Sequence, residues 1–153
     1  MNIALIIAGG SGQRMGQDIP KQFLNVHDRP VIIYTLEAFE RHPNIDAIEV
    51  VCVDGWETIL TAYCKQFNIT KLENIVKGGD NGQSSIRNGI TDIASRHKPE
   101  DLVLIHDAIR PMVSEDIISD CIRVASKYGN AITSIPCMEA MLRTADGVSS
   151  REQ

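Results

Sequence analysis

The chain opens MNIALIIAGGSGQRMGQDIPKQ, and no other stretch limits its possible folds so strongly. An apolar run from Ile3 to Ala8 has the length and residue types of a buried strand, and it stops abruptly at Gly9 and Gly10. Gly12 and Gly16 follow, with Arg14 between them and Lys21 after Pro20. A strand that runs into a glycine loop carrying cations suits a nucleoside triphosphate. Glycines let backbone N–H groups come close to phosphate oxygens, and the cations offset the charge.

Other readings compete for the same loop. A dinucleotide fingerprint needs a third glycine where Met15 stands, and an acidic residue roughly 20 residues further on. The nearest such residue, Asp54, is about twice that far away. A P-loop needs Gly-Lys-Ser/Thr, which does not follow. A plain strand-to-helix turn with incidental basic residues is the remaining alternative. Arg14, Pro20, Lys21 and Gln22 together favour the phosphate-binding reading.

Composition narrows the function classes. With 153 residues and 43% hydrophobic content, the chain can bury one core of ordinary domain size. A net charge of −5 and a pI near 5.3 argue against a general nucleic-acid or membrane-surface binder. No apolar run has the length of a membrane span, and the N-terminus lacks a basic region and cleavage site. Cys52, Cys64, Cys121 and Cys137 form no C-x-x-C pair, so they read as reduced thiols of a cytoplasmic protein rather than as zinc ligands.

Downstream, strand and helix patterns alternate. Helices are expected over Val31–Phe39, Trp56–Phe67, with Ile59, Leu60, Tyr63 and Phe67 on one face, Ser84–Ala94, and from a Ser114 cap through Tyr128 to Gly129. Strands are expected over Ile45–Val53, Leu72–Val76, Leu102–Ile105 and Ala131–Ile135. That alternation predicts an α/β fold, a mostly parallel sheet with helices on both faces. Ligands of such sheets bind beyond the carboxyl ends of the strands.

Two further loops stand at such ends. Gly78-Gly79-Asp80-Asn81-Gly82-Gln83-Ser84-Ser85 can present backbone and hydroxyl groups to a base and ribose, or can be a turn capped by Ser84. His106-Asp107-Ala108-Ile109-Arg110-Pro111 offers a carboxylate suited to a hard cation and a guanidinium suited to phosphate. Asp107 and Arg110 could equally form a loop salt bridge. His106 reads as a satisfied, partly buried imidazole.

Ala8 to Gly16 with Pro20-Lys21-Gln22, together with these two loops, resembles the signatures of CTP-dependent cytidylyltransferases. This family makes CDP-methylerythritol from 2-C-methyl-D-erythritol 4-phosphate, or CDP-ribitol from ribitol 5-phosphate. The resemblance implies a Rossmann-like nucleotidyltransferase fold and transfer of CMP from CTP to a polyol phosphate, methylerythritol phosphate leading and ribitol phosphate the alternative. It implies catalytic roles for Arg14 and Lys21. Nucleotide contacts fall to Ala8, Gly9, Gly10, Ser11 and Gly12, and to Gly79, Asp80 and Ser85 for the cytidine. Asp107 and Arg110 would meet the acceptor, and Asp107 would also bind Mg²⁺. A nucleotidyltransferase using UTP or GTP with a hexose phosphate, a non-catalytic nucleotide-binding module and an NAD-dependent oxidoreductase are the further readings.

The sequence departs from the family pattern in two places. Gly82 stands where the family often has an arginine, and Ala140 follows Glu139 where a hydroxyl-bearing residue is usual. The chain is also shorter than family members. Residues 1–135 correspond to a CTP-binding core, and 136–153 to the start of a substrate segment and of a β-arm, which in the family joins two subunits as a homodimer.

Overall fold

The computed structural model describes residues 1–10, 19–136, 138, 143–144 and 150–152. Its centre is a four-stranded sheet of β1 (Asn2–Ala8), β4 (Ala47–Cys52), β5 (Leu72–Lys77) and β6 (Leu102–Asp107), in the order β5-β4-β1-β6. Every neighbouring pair is parallel. All six residues of β4 are buried, as a strand covered on both faces requires.

The helices α1 (Val31–Arg41), α2 (Glu57–Gln66) and α4 (Glu115–Tyr128) share one face of the sheet, and α3 (Gly82–Arg96) has the other. Side chains alternate between these two layers. Ala4, Ile6 and Ala8 of β1 meet Ile33 and Leu36 of α1, Leu60 of α2 and Ile118 of α4. Ile3 and Leu5 join Ala47, Val51 and Ile93 beneath α3. Here α3 comes so close that a Cβ on Gly89 would lie 2.5 Å from Leu5 Cδ1 and 2.8 Å from Val51 Cγ2.

The α/β alternation expected from sequence is present, and its boundaries move for local reasons. The α3 helix begins at Gly82 because Asn81, not Ser84, is the cap. The Asn81 side chain accepts from Ser84 N at 2.9 Å, and Ser84 Oγ accepts from Asn81 N at 3.0 Å, a reciprocal capping box. The α4 helix is capped by Ser114 and ends at Gly129, whose φ of 90° is left-handed, as expected. On α2 the buried residues are Leu60 and Cys64, while Ile59 is 40% exposed and lies off the expected face.

An unexpected hairpin pairs β2 (Asn25–Val26) with β3 (Arg29–Pro30). His27 and Asp28 turn it with φ of 48° and 64°, the left-handed pair that a two-residue hairpin requires. A second short antiparallel pair, β7 (Arg143–Thr144) with β8 (Ser150–Glu152), falls where the start of a β-arm was expected.

The fifth strand expected over Ala131–Ile135 is absent. A strand needs a partner, and among the described residues this segment has none: Ile132 and Ile135 are each 89% exposed. A groove of about 820 Å³, lined by β6, α4 and residues 129–133, opens along the β6 edge.

In the amino-terminal half of β4, Glu49 is 1% exposed beneath α3 and is ion-paired with Arg96. Arg96 also reaches Asp92 at 2.7 Å and Glu73 at 3.3 Å, so one guanidinium serves three carboxyl groups. Among the described cysteines, Cys52, Cys64 and Cys121 are free thiols, and burial pushes those of Cys52 and Cys64 up to about 12. No described helix is long and apolar enough to cross a membrane.

Candidate functional site

The chain passes from β1 to β4 to β5 on one side and then returns to place β6 on the other side of β1. Strand order therefore reverses between β1 and β6, and a crevice opens there beyond the carboxyl ends. Register brings those ends level: Ala8 pairs with Cys52, Cys52 with Lys77, and Ile7 with Asp107. The loops after β1, β5 and β6 leave the sheet side by side at one mouth.

The first two touch. A Cβ on Gly78 would stand 3.0 Å from Gly9 Cα, and one on Gly9 would stand 2.8 Å from Ser85 Oγ. Glycine is required at both positions because two backbones meet there. Ala8 is buried at the strand end, Gly9 is half-buried and Gly10 is exposed. Ser11, Gly12 and Arg14 lie outside the described residues.

Lys21 opens a 3₁₀ turn, Lys21–Phe23, and is half-buried. Phe23 stacks on Trp56 with ring centroids 4.6 Å apart, fixing the turn against the start of α2. Gln22 is 2% exposed and donates to Ala8 O at 2.7 Å and to Gly10 O at 3.0 Å. Sequence reasoning placed Gln22 in the motif without giving it a task, because two bonds to backbone oxygens leave no trace in residue type.

In the second loop Ser85 is 2% exposed, and its Oγ accepts from Gly79 N at 3.0 Å. Its hydroxyl closes the loop from within. Asp80 is exposed immediately before the Asn81 cap. Lys77, which sequence reasoning did not single out, pairs with Asp54 at 2.9 Å on the same rim, and that hydrogen bond holds its ammonium above its ordinary pKa. An Asp-Gly turn after one strand and a lysine ending the next were the available signal.

The third loop begins inside the sheet, since β6 runs two residues beyond the expected Ile105. Asp107 ends the strand, and Arg110 Nε donates to its Oδ2 at 2.7 Å, with the side chains 51% and 72% exposed respectively. The loop salt bridge is thus present, and both charges still face solvent. His106 Nε2 lies 2.9 Å from Arg110 O, and its ring is tilted against Phe39 at 5.2 Å. This is the satisfied imidazole expected.

Among the described residues no group of three His, Cys, Asp or Glu side chains could hold a metal ion. Asp107 offers an exposed carboxylate where strand order reverses. That fits Mg²⁺, which is usually held by one or two carboxylates while phosphates and water complete its shell. The mouth thus combines glycine backbone, a lysine and a guanidinium, which suit a polyanion, with a carboxylate that suits a hard cation.

Comparison with known proteins gives this arrangement a family. Residues 2–152 match the family described as IspD: 2-C-methyl-D-erythritol 4-phosphate cytidylyltransferase. A ribitol-5-phosphate cytidylyltransferase from Lacticaseibacillus paracasei is 46% identical over 139 residues, which cover 91% of this chain and 59% of that protein. A 2-C-methyl-D-erythritol 4-phosphate cytidylyltransferase from Clostridium botulinum is 39% identical over 134 residues, covering 88% of this chain and 57% of that one. The solved 4-diphosphocytidyl-2C-methyl-D-erythritol synthase from Anaerococcus prevotii superposes with a TM-score of 0.76 at 25% identity, covering 99% of this chain and 62% of that chain. This chain therefore spans about three fifths of the length of these relatives. By sequence and by fold, it belongs to the IspD family of cytidylyltransferases.

Proposed function

We propose that the protein to which this chain belongs transfers CMP from CTP to a polyol phosphate, releasing pyrophosphate. The observation that carries the reading is the convergence of the loops after β1, β5 and β6 at the point where strand order reverses. Ribitol 5-phosphate is the favoured acceptor. Sequence motifs alone led with methylerythritol phosphate. Two ribitol-5-phosphate enzymes at 46% identity and three at 39%, against 38–39% for methylerythritol ones, support the reverse order. Ala140, in place of a hydroxyl-bearing residue, agrees with an acceptor different from methylerythritol phosphate.

A phosphate oxygen of the acceptor attacks the α-phosphorus of CTP in line. A new P–O bond forms as the bond to the β-phosphate bridging oxygen breaks. No general base is required, because the attacking phosphate is already ionised near neutral pH. Catalysis is then positioning plus fixed positive charge. Lys21 serves the α-phosphate in the transition state and Arg14 the β- and γ-phosphates. The backbone of Ala8–Gly12 carries the triphosphate, and Gly79, Asp80 and Ser85 the cytidine. Asp107 and Arg110 meet the acceptor phosphate. Asp107 would hold Mg²⁺, which when bound offsets phosphate charge. Assembly as a homodimer through the arm remains part of the proposal.

The test has two stages. Calorimetry with Mg²⁺ should show this chain binding CTP in preference to UTP, GTP, ATP and NAD. The gene product containing the chain should then release pyrophosphate from CTP with ribitol 5-phosphate, and more slowly with 2-C-methyl-D-erythritol 4-phosphate. The reverse acceptor order would overturn the ribitol assignment. CTP binding with no pyrophosphate from either acceptor would favour a non-catalytic module.

A further inference from the structure

We propose that Gln22 is a positioning residue that orients the glycine loop for the phosphates and links it to Lys21, an inference that rests on the CTP site proposed above. Gln22 is 2% exposed and sits one residue after Lys21 in the same 3₁₀ turn. Its Nε2 spends both hydrogens on backbone carbonyls, those of Ala8 at 2.7 Å and Gly10 at 3.0 Å, which flank Gly9.

The chemistry follows from the peptide plane. In a trans peptide the C=O of one residue and the N–H of the next point in opposite directions. The Ala8 carbonyl, which also accepts from Val53 N at 3.1 Å, faces Gln22, so Gly9 N–H is aimed away from Gln22. The Gly10 carbonyl is likewise held against Gln22, so its oxygen is not free to face a phosphate oxygen that it would repel. An amide suits this task because both of its N–H groups donate from one atom. A glutamate here could donate at most one, and only when protonated, and a methionine none. Because Lys21 shares the turn, a shift of Gln22 would move the cation and the loop together. The Phe23–Trp56 stack behind the turn resists such a shift.

Ser85 also braces a glycine, but from its own loop and by accepting the N–H of Gly79. Gln22 joins two segments separated by residues 11–18, so its removal should loosen the loop without unravelling the sheet.

The experiment compares the wild-type chain with Gln22→Met, Gln22→Glu and a buried control remote from the mouth, Ile69→Ala. Fold is followed by circular dichroism, backbone order parameters at Gly9 and Gly10 by NMR relaxation, and CTP affinity by calorimetry. Both Gln22 variants should fold, lower the order parameter at Gly10 from about 0.85 toward about 0.6, and bind CTP about tenfold more weakly. Ile69→Ala should lose thermal stability with CTP affinity unchanged. Wild-type order parameters at Gly9 and Gly10 in a folded Gln22→Met would overturn the proposal, and so would a loosened loop with unchanged CTP affinity. Should Gln22→Met fail to fold, Gln22→Asn, which keeps the amide but shortens its reach, is read in the same way. Failure of both to fold would make Gln22 a folding determinant and overturn the positioning role. If the wild-type chain bound no CTP, the site reading would fall, while the order parameters would still decide whether Gln22 pins the loop.

Discussion

Thr35 and Ala108 are 73 residues apart in sequence and are joined by one buried hydrogen bond, from Thr35 Oγ1 to the Ala108 carbonyl at 2.7 Å. Both residues are completely buried, so the bond ties the middle of α1 to the loop that carries Asp107 and Arg110. Valine matches threonine in shape but leaves that carbonyl without its donor. Thr35→Val is therefore expected to cost roughly 1–3 kcal/mol in urea unfolding with an unchanged denaturant slope. Amide exchange in the Asp107–Arg110 turn should rise in the same variant.

Lys21 is the next target. In the gene product that carries this chain, Lys21→Ala should lower turnover by about 10²- to 10³-fold, the range for losing a preorganised charge at the reacting centre. CTP affinity should stay within a few-fold. A turnover within a few-fold of wild type would remove Lys21 from the α-phosphate.

The Phe23–Trp56 stack supplies a reporter, because Trp56 is the only tryptophan of the chain. CTP binding beside Lys21 is expected to change Trp56 emission. In Phe23→Leu that response should shrink while calorimetry still detects CTP. An unchanged response in Phe23→Leu would mean that the signal does not pass through the stack.

Burial, and then the negative charge and hydrogen bond of Asp92, push the Glu49 carboxyl up to about 8 against the pull of Arg96. A raised folded pKa means that folding favours the protonated acid. Its contribution is complete below the ordinary carboxylate range and is lost as pH rises through about 8. Thermal denaturation between about pH 5 and pH 8.5 should therefore show wild type losing stability toward alkaline pH, with a flatter profile for Glu49→Gln. Parallel profiles would show that Glu49 does not titrate in this window.

Gly89→Ala tests the thin side of the sheet. Alanine favours helix by about 1 kcal/mol over glycine, yet its Cβ would press on Leu5 and on the stiff, branched Val51. A net loss of about 1–2 kcal/mol is expected in thermal unfolding, since overpacking outweighs propensity here.

Much of this architecture could be read from residues alone because the relevant signals are local. The apolar run of β1, the Ser114 cap and the Gly129 stop each act within a turn or two of where they are read. What escaped depends on partners distant in sequence. Ala131–Ile135 has the composition of a strand but, among the described residues, no neighbour to pair with. Asn81 displaces Ser84 as cap because the reciprocal bond needs both side chains. At the mouth, Gly9, Gly79, Asp80, Asp107 and Arg110 could be named from motifs, whereas the bonds of Gln22 and Thr35 connect backbone oxygens that no sequence pattern marks.

The Arg96 network and the crevice lie toward opposite ends of the same strands. Residues around Arg96 can thus be exchanged for stability without altering the crevice loops, and those loops can vary without loosening the sheet. A library aimed at the proposed acceptor site would confine its diversity to the carboxyl rim and draw its tolerance from substitutions at the far end.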